Sequence, residues 1–355
     1  MDKMKIAVLG GGNSGYALSA YLTHLGHCVK LYKRSFKRDK TEYEYEMNAS
    51  GIFDFSCSIH MVTGNLDYAL KGVQIAFLCI PAYCQEMFFD DLLNSLKKID
   101  YENVYTVLMP DNYGCILLED MIMKRGMGGY NRVLSLGSSL FASRAIDDRN
   151  VDFKGIKSEI LVSSIYPEVV NDGVSIMNRI IDVFVKGRNI FEVNLSNMNP
   201  VVHTAVTVMN AARLENTKGE FDFYREGITP SVARVIEKVD MERMEIAKAL
   251  GIETETLMDY IEHVYGFRKS GLYETLSESF VHTRANGPAS LESRYVTEDI
   301  PYGLMPMAAM GRYLKIKTEA IDSLIVLGTI ASGKVFDGEI CSRINNYIVR
   351  NQFTF

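Results

Sequence analysis

At 355 residues, with 47% hydrophobic and 23% charged residues, the chain has the length for two domains and the composition of a soluble globular protein. A net charge of −6 argues against a general nucleic-acid binder. The six cysteines (Cys28, Cys57, Cys79, Cys84, Cys115 and Cys341) form no CxxC pair, so their spacing supports neither a disulfide framework nor a metal site. No signal peptide precedes the first strand and no apolar run reaches membrane-spanning length, so the chain is expected to be cytoplasmic, without a membrane partner.

The chain opens on an apolar strand, Lys5 to Leu9, that runs into Gly10-x-Gly12-x-x-Gly15 and then into the helical stretch Tyr16–Leu25. Gly10 allows the tight turn, Gly12 lets backbone approach a pyrophosphate, and Gly15 lets the helix lie close to the strand. The phosphates are then held at the helix N-terminus. Three glycines alone are weak evidence, but a buried strand before them and a helix after them make a dinucleotide site the expectation. Asn13 and Ser14, between the glycines, are counted with Gly10, Gly12 and Gly15 as cofactor-binding.

Further apolar runs at 28–32, 57–63, 74–80, 104–109, 132–136 and 159–164 alternate with helical or turn stretches. Short buried strands alternating with helices predict a doubly wound parallel sheet over residues 1–190. The second strand ends in Lys33, Arg34 and Ser35, with Lys37 and Arg38 beyond. An NAD site usually has an acidic residue here for the adenosine ribose, whereas a 2′-phosphate would suit cations. Lys33, Arg34 and Ser35 therefore point to NADP, with NAD also compatible; a solvated basic loop is the other reading. Pro81, in Ile80-Pro-Ala-Tyr83, and Pro110, in the loop Met109–Gly114, stand at strand ends. They either border the cofactor there or simply end the strands.

From about residue 191 to 355 the pattern changes to long helices. One helix carries Pro200 in its first turn, with Ser196 or Asn197 as its cap, and aligns His203, Val206, Thr207, Asn210 and Leu214 on one side. A second starts at Thr229-Pro230 and ends before Gly251; its Glu237, Asp240, Glu242, Arg243 and Glu245 read as a solvated face with helical charge pairs. A third follows Arg294–Gly303 and a fourth spans Thr318–Thr329. From the residues alone, His203 is either a core histidine or an acid/base, and Asp299 either a helix cap or its partner. Arg294 pairs with a neighbour or with a ligand.

Several longer motifs carry a resemblance. Asn199-Pro-Val-Val-His203 is followed by Asn210, then by Phe223-Tyr-Arg-Glu-Gly-Ile-Thr-Pro230 and the run Ile236–Arg243 into Ala249-Leu-Gly251. Arg294-Tyr-Val-Thr-Glu-Asp-Ile-Pro-Tyr-Gly-Leu304 completes the order. Together they resemble the opine dehydrogenases, the octopine/nopaline dehydrogenase family, over essentially the whole chain. The resemblance implies a Rossmann-type domain followed by an all-helical one. It also implies an NAD(P)H-dependent reductive condensation of an α-keto acid, such as pyruvate, with the amino group of an amino acid. His203 then matches the active-site histidine, Asp299 its carboxylate partner, and Arg294 an arginine that holds substrate; Asn210 is carried along as a substrate-binding residue. The family includes both monomers and dimers, so a homodimer is compatible with it.

One stretch departs from the pattern. Where many members carry an acidic, threonine-containing segment leading into Tyr-x-x-Arg, this chain has Leu136-Gly-Ser-Ser-Leu-Phe-Ala-Ser-Arg144. Arg144 stays, as a second carboxylate anchor or as a salt-bridge partner. Two other readings use the same architecture. A reductase of the ketopantoate type would need no amine and would call for a lysine in a matching motif, which this sequence lacks. A cofactor-binding sensor without catalysis would keep the dinucleotide fold alone.

Overall fold

In the computed structural model, which describes residues 3–37, 39–99, 101–279 and 285–350, the first strand, β1 (Lys5–Leu9), lies in the middle of a sheet. Ile6 to Leu9 are fully buried, as a strand covered on both faces must be. β2 (Cys28–Tyr32) and β5 (Ile75–Leu78) flank it in parallel. β4 (Phe55–Thr63) continues the parallel set beyond β2, and β6 (Tyr105–Leu108) and β7 (Val133–Leu136) continue it beyond β5.

The expectation of a purely parallel sheet is corrected at both edges. β3 (Thr41–Gly51) pairs antiparallel with β4, and β10 (Ile160–Ser163) pairs antiparallel with β7 before β11 (Phe184–Lys186) closes that edge in parallel. β8 (Phe141–Ala145) and β9 (Asn150–Ile156) form an antiparallel hairpin, and β9 joins the sheet alongside β3. Among the described residues the sheet thus has 11 strands, in the order β11-β10-β7-β6-β5-β1-β2-β4-β3-β9-β8. β3 escapes a search for apolar runs because it alternates: Tyr45, Met47 and Ala49 are buried while Glu44, Glu46 and Asn48 are exposed. That period of two marks a strand with one wet face.

The hairpin is tied to the first helix, Asn13–His24, in two ways. Phe153 meets Phe141 and Phe53 with ring centroids 5.0 and 5.3 Å apart, and Tyr21 of the helix meets Phe141 at 5.1 Å. Nearer the glycine loop, Ala145 N–H donates to Asn13 Oδ1 at 2.9 Å, and the Ser139 and Ser14 hydroxyls lie 3.1 Å apart.

The chain divides into two units at Asn194/Leu195, at the end of the short helix Ile190–Leu195. In the second unit the helix Asn199–Met209 is buried from Pro200 to Thr207. Asn197 Oδ1 accepts from Asn199 N–H at 3.2 Å, while Met198 takes the cap position. The helix Pro230–Ala249 is capped by Thr229, whose hydroxyl accepts from Val232 N–H.

Its charged residues are not all solvated. Arg243 is fully buried, with Glu242 and Asp240 nearly so. Arg243 donates to Asp240, to the Leu195 and Glu255 carbonyls and to Thr254. Glu242 accepts from the Ala320 and Ile321 N–H groups at 3.0–3.1 Å, capping the helix Glu319–Ser332 from outside. Buried charges persist where backbone groups and an opposite charge satisfy them, and these do. No helix among the described residues is long and apolar enough to cross a membrane.

Candidate active site

The glycine loop has the shape a pyrophosphate requires. Gly10 has φ +132°, and a side chain there would strike the Cys79 carbonyl; one at Gly15 would strike the Gly10 carbonyl. Gly12 faces open space, with nothing within 4 Å of a would-be β-carbon. Backbone lies bare at the N-terminus of a 12-residue helix, where amide groups and the helix dipole favour an anion. The residues therefore fit a dinucleotide. Pro81 caps the short turn Ala82–Cys84 after β5, at the carboxyl end of a strand next to β1.

The cations after β2 differ among themselves. Arg34 and Ser35 are exposed, and Arg38 lies outside the described residues. Lys33 is only 3% exposed, and its ammonium is paired with Asp148 at 2.8 Å. The loop after β6 is also committed: the Asp111 carboxylate is buried and accepts from Asn194 Nδ2 at 2.7 Å and from Cys115 N–H at 2.8 Å. Burial pushes the Asp111 carboxyl above its ordinary range. Arg144 is exposed on β8, opposite Asp152 of β9.

In the helical unit, His203 Nδ1 lies 2.9 Å from Asp299 Oδ2, across 96 residues of sequence. Asp299 stands at the head of a π-helical turn, Ile300–Leu304, yet makes no side-chain cap bond. The turn comes close to the histidine helix because Gly303 has no side chain: a β-carbon there would run into the Pro200 ring. Gly328 likewise gives room to Ile300. Thr204 donates to the Tyr295 carbonyl at 3.3 Å, joining the short helix Arg294–Thr297 to the histidine helix one residue beyond His203.

The other face of the imidazole is equally defined. His203 Nε2 is 3.1 Å from the Tyr224 hydroxyl, and the Tyr295 ring stacks on it at 4.0 Å. With Nδ1–H donating to the carboxylate, Nε2 of the neutral ring accepts from Tyr224. Burial, and then the neighbouring Tyr295, hold the Tyr224 phenol well above its ordinary range, so it stays protonated. Arg294 is exposed, with its guanidinium 5.9 Å from the Tyr295 ring centre. His203, Asp299 and Arg294 are thus brought together around Tyr295.

Asn210 stands at the C-terminal end of the helix that carries His203. Its Nδ2 donates to the Val206 and Gly227 carbonyls at 2.9 and 2.8 Å, finishing the histidine helix. No role for Tyr224 or Tyr295 is legible in the sequence, although they lie within Phe223–Pro230 and Arg294–Leu304. An aromatic residue in a helical domain carries no mark that separates core from site. Among the described residues, no group of three or more His, Cys, Asp or Glu is arranged to hold a metal ion.

A glycine loop heading the sheet and a helical unit built around a buried histidine–carboxylate pair define a dinucleotide-dependent oxidoreductase. Residues 186–332 match the model of the NAD/NADP octopine/nopaline dehydrogenase α-helical domain, and residues 5–107 that of the NAD-dependent glycerol-3-phosphate dehydrogenase N-terminus. The chain is 27% identical over 329 residues to an opine dehydrogenase of Arthrobacter sp. (strain 1C), covering 92% of this chain and 90% of that one. It is 25% identical to vitopine synthase of Allorhizobium ampelinum, over 74% of this chain and 71% of that one. The fold is that of octopine dehydrogenase solved with NADH and agmatine, with a TM-score of 0.75 at 18% identity over 97% of this chain and 96% of the other. The helical half thus matches the octopine/nopaline dehydrogenase α-helical domain, and the chain as a whole is similar to an opine dehydrogenase.

Proposed function

We propose that this enzyme joins the carbonyl carbon of an α-keto acid such as pyruvate to the amino group of an amino acid, and reduces the product to an N-(carboxyalkyl)amino acid. The observation that carries this reading is the His203–Asp299 pair, buried beside Arg294 in a chain similar to an opine dehydrogenase over nine-tenths of its length.

The chemistry asks the protein to move protons. Attack of the amine on the keto carbon gives a carbinolamine, which loses water only when its hydroxyl is protonated. His203 Nε2 is the nitrogen suited to give that proton and to take one from the attacking amine: Asp299 holds Nδ1–H through a charged partner, whereas Nε2 faces the neutral Tyr224 hydroxyl, which a substrate group can displace. Asp299 fixes the tautomer and stabilises the imidazolium. The resulting imine is kept protonated and so remains a good hydride acceptor. Arg294 offers a planar fork for a substrate carboxylate, and Arg144 is proposed as a second anchor. The reduced nicotinamide supplies the hydride when bound.

The cofactor is NAD(P)H. Gly10, Gly12, Asn13, Ser14 and Gly15 would hold its pyrophosphate, and Pro81 would border it. NADPH is the proposed preference, supported by the exposed Arg34 and Ser35 after β2. Six free cysteines suit the reducing cytoplasm, the proposed compartment. A homodimer belongs to the same proposal: Val326, Leu327 and Ile330 stand exposed on the helix Glu319–Ser332, and sedimentation equilibrium reads it.

The test is NADPH and NADH oxidation with pyruvate, with and without a pool of amino acids. Oxidation that needs the amino acids supports the proposal. Oxidation with the keto acid alone would replace it with a simple reductase.

A further inference from the structure

The carboxyl end of β2 is where dinucleotide-binding enzymes meet the adenosine ribose, usually through an acidic side chain about 20 residues past the glycine loop. Lys33 occupies that place here, and its side chain turns inward. A β-carbon at Gly11 would come within 2.7 Å of Lys33 Cγ, so the lysine stem lies along the glycine loop itself. Its ammonium stands 5.4 Å from the Tyr16 ring centre and 4.8 Å from that of Phe36.

The carboxylate comes from elsewhere. Asp148, in the turn between β8 and β9, places Oδ2 at 2.8 Å from Lys33 Nζ. Tyr16 donates to Oδ1 at 2.9 Å, and Tyr45 donates to the Asp148 carbonyl at 3.0 Å. Hydrogen bonds from Lys33 and then Tyr16 hold the Asp148 carboxyl below its ordinary range. The two partners are unequal in exposure: the Lys33 side chain is 4% exposed and that of Asp148 is 70% exposed. A ligand at the end of β2 therefore meets the anion of the pair, and the cation lies behind it.

We infer that Asp148 is a cofactor-specificity residue, which stands in for the missing β2 carboxylate by accepting the ribose hydroxyls of NADH and opposing the 2′-phosphate of NADPH. Arg34 and Ser35 act in the other direction, so the preference is a balance between a cation after β2 and an anion on the hairpin. This inference rests on the dinucleotide site alone and holds whatever the second substrate is.

The experiment is a fluorescence titration of NADH and NADPH, without keto acid or amine, on the parent chain and on Asp148→Asn, Asp148→Glu and Tyr16→Phe. Asp148→Asn should shift the ratio of the two dissociation constants toward NADPH by about tenfold, the size expected when one exposed charge near a phosphate is removed in salt. Asp148→Glu, which keeps the charge, should restore the ratio. Tyr16→Phe removes a bond to Asp148 without touching its charge and should leave the ratio as in the parent. A ratio within about twofold of the parent in folded Asp148→Asn overturns the inference. Equal weakening of both cofactors in Asp148→Asn and Tyr16→Phe, with a lower Tm, would reduce Asp148 to a latch for the hairpin. A parent chain that binds neither cofactor overturns the dinucleotide reading itself, a result distinct from the other two.

Discussion

Asp299→Asn is the most direct probe of the proposed mechanism. The substitution keeps the size of the side chain and a hydrogen-bond acceptor for His203 Nδ1–H while removing the charge. The two side chains are 8% and 11% exposed and their nearest atoms are 2.9 Å apart, which puts the charge centres of an imidazolium–carboxylate pair about 4 Å apart. At an effective dielectric constant of 20 the attraction is about 4 kcal/mol. Each 1.36 kcal/mol of lost transition-state stabilisation is roughly tenfold in rate, so full loss is about 1000-fold. The remaining amide dipole reduces that, and we expect kcat to fall by about 100- to 1000-fold. The assay is NADPH oxidation with pyruvate and the amino acid pool, beside a cofactor titration and a circular-dichroism melt. The cofactor dissociation constant should not move, and the chain should fold, because Asp299 makes no cap bond whose loss would matter. A kcat within threefold of the parent, or loss of the folded state, would refute the reasoning.

His203→Ala should lower turnover by about 100-fold or more while leaving NADPH affinity nearly intact, read by kinetics and by cofactor fluorescence. Tyr224→Phe removes a hydrogen bond worth about 1 kcal/mol and should lower kcat about fivefold; a faster enzyme would mean that Tyr224 restrains the ring. Arg34→Ala should weaken NADPH more than NADH, and an equal loss would remove Arg34 from the 2′-phosphate site. Arg243→Met leaves Asp240 buried without its partner and should destabilise the helical unit by about 3–5 kcal/mol, measured as a lower midpoint in urea.

What the sequence by itself determined is what is local or periodic. The buried strand, the three glycines and the helix that follows are contiguous, and their geometry is set by backbone freedom within a dozen residues. Thr229-Pro230 opened its helix on capping chemistry of the same short range. The long motifs of the helical half carried the resemblance to the opine dehydrogenases, and through it pointed to His203, Asp299 and Arg294 as candidates. Tertiary structure decided which of these groups touch and which groups are spent. It brought Asp299 to His203 through a π-turn that Gly303 lets lie on Pro200, and it set Tyr224 on the far side of the ring. It also turned charges that read as solvated into buried ones: Arg243 bonds to the Leu195 carbonyl and Glu242 to the Ile321 N–H, both on segments far along the chain. Lys33 is the sharpest case, since a cation at the end of β2 reads as a phosphate ligand until Asp148 arrives from a hairpin more than a hundred residues later. The physical reason is the same throughout. Local conformation follows from each residue's own backbone and near neighbours. The state of a charge depends on what the rest of the chain lays against it, and only the folded molecule specifies that.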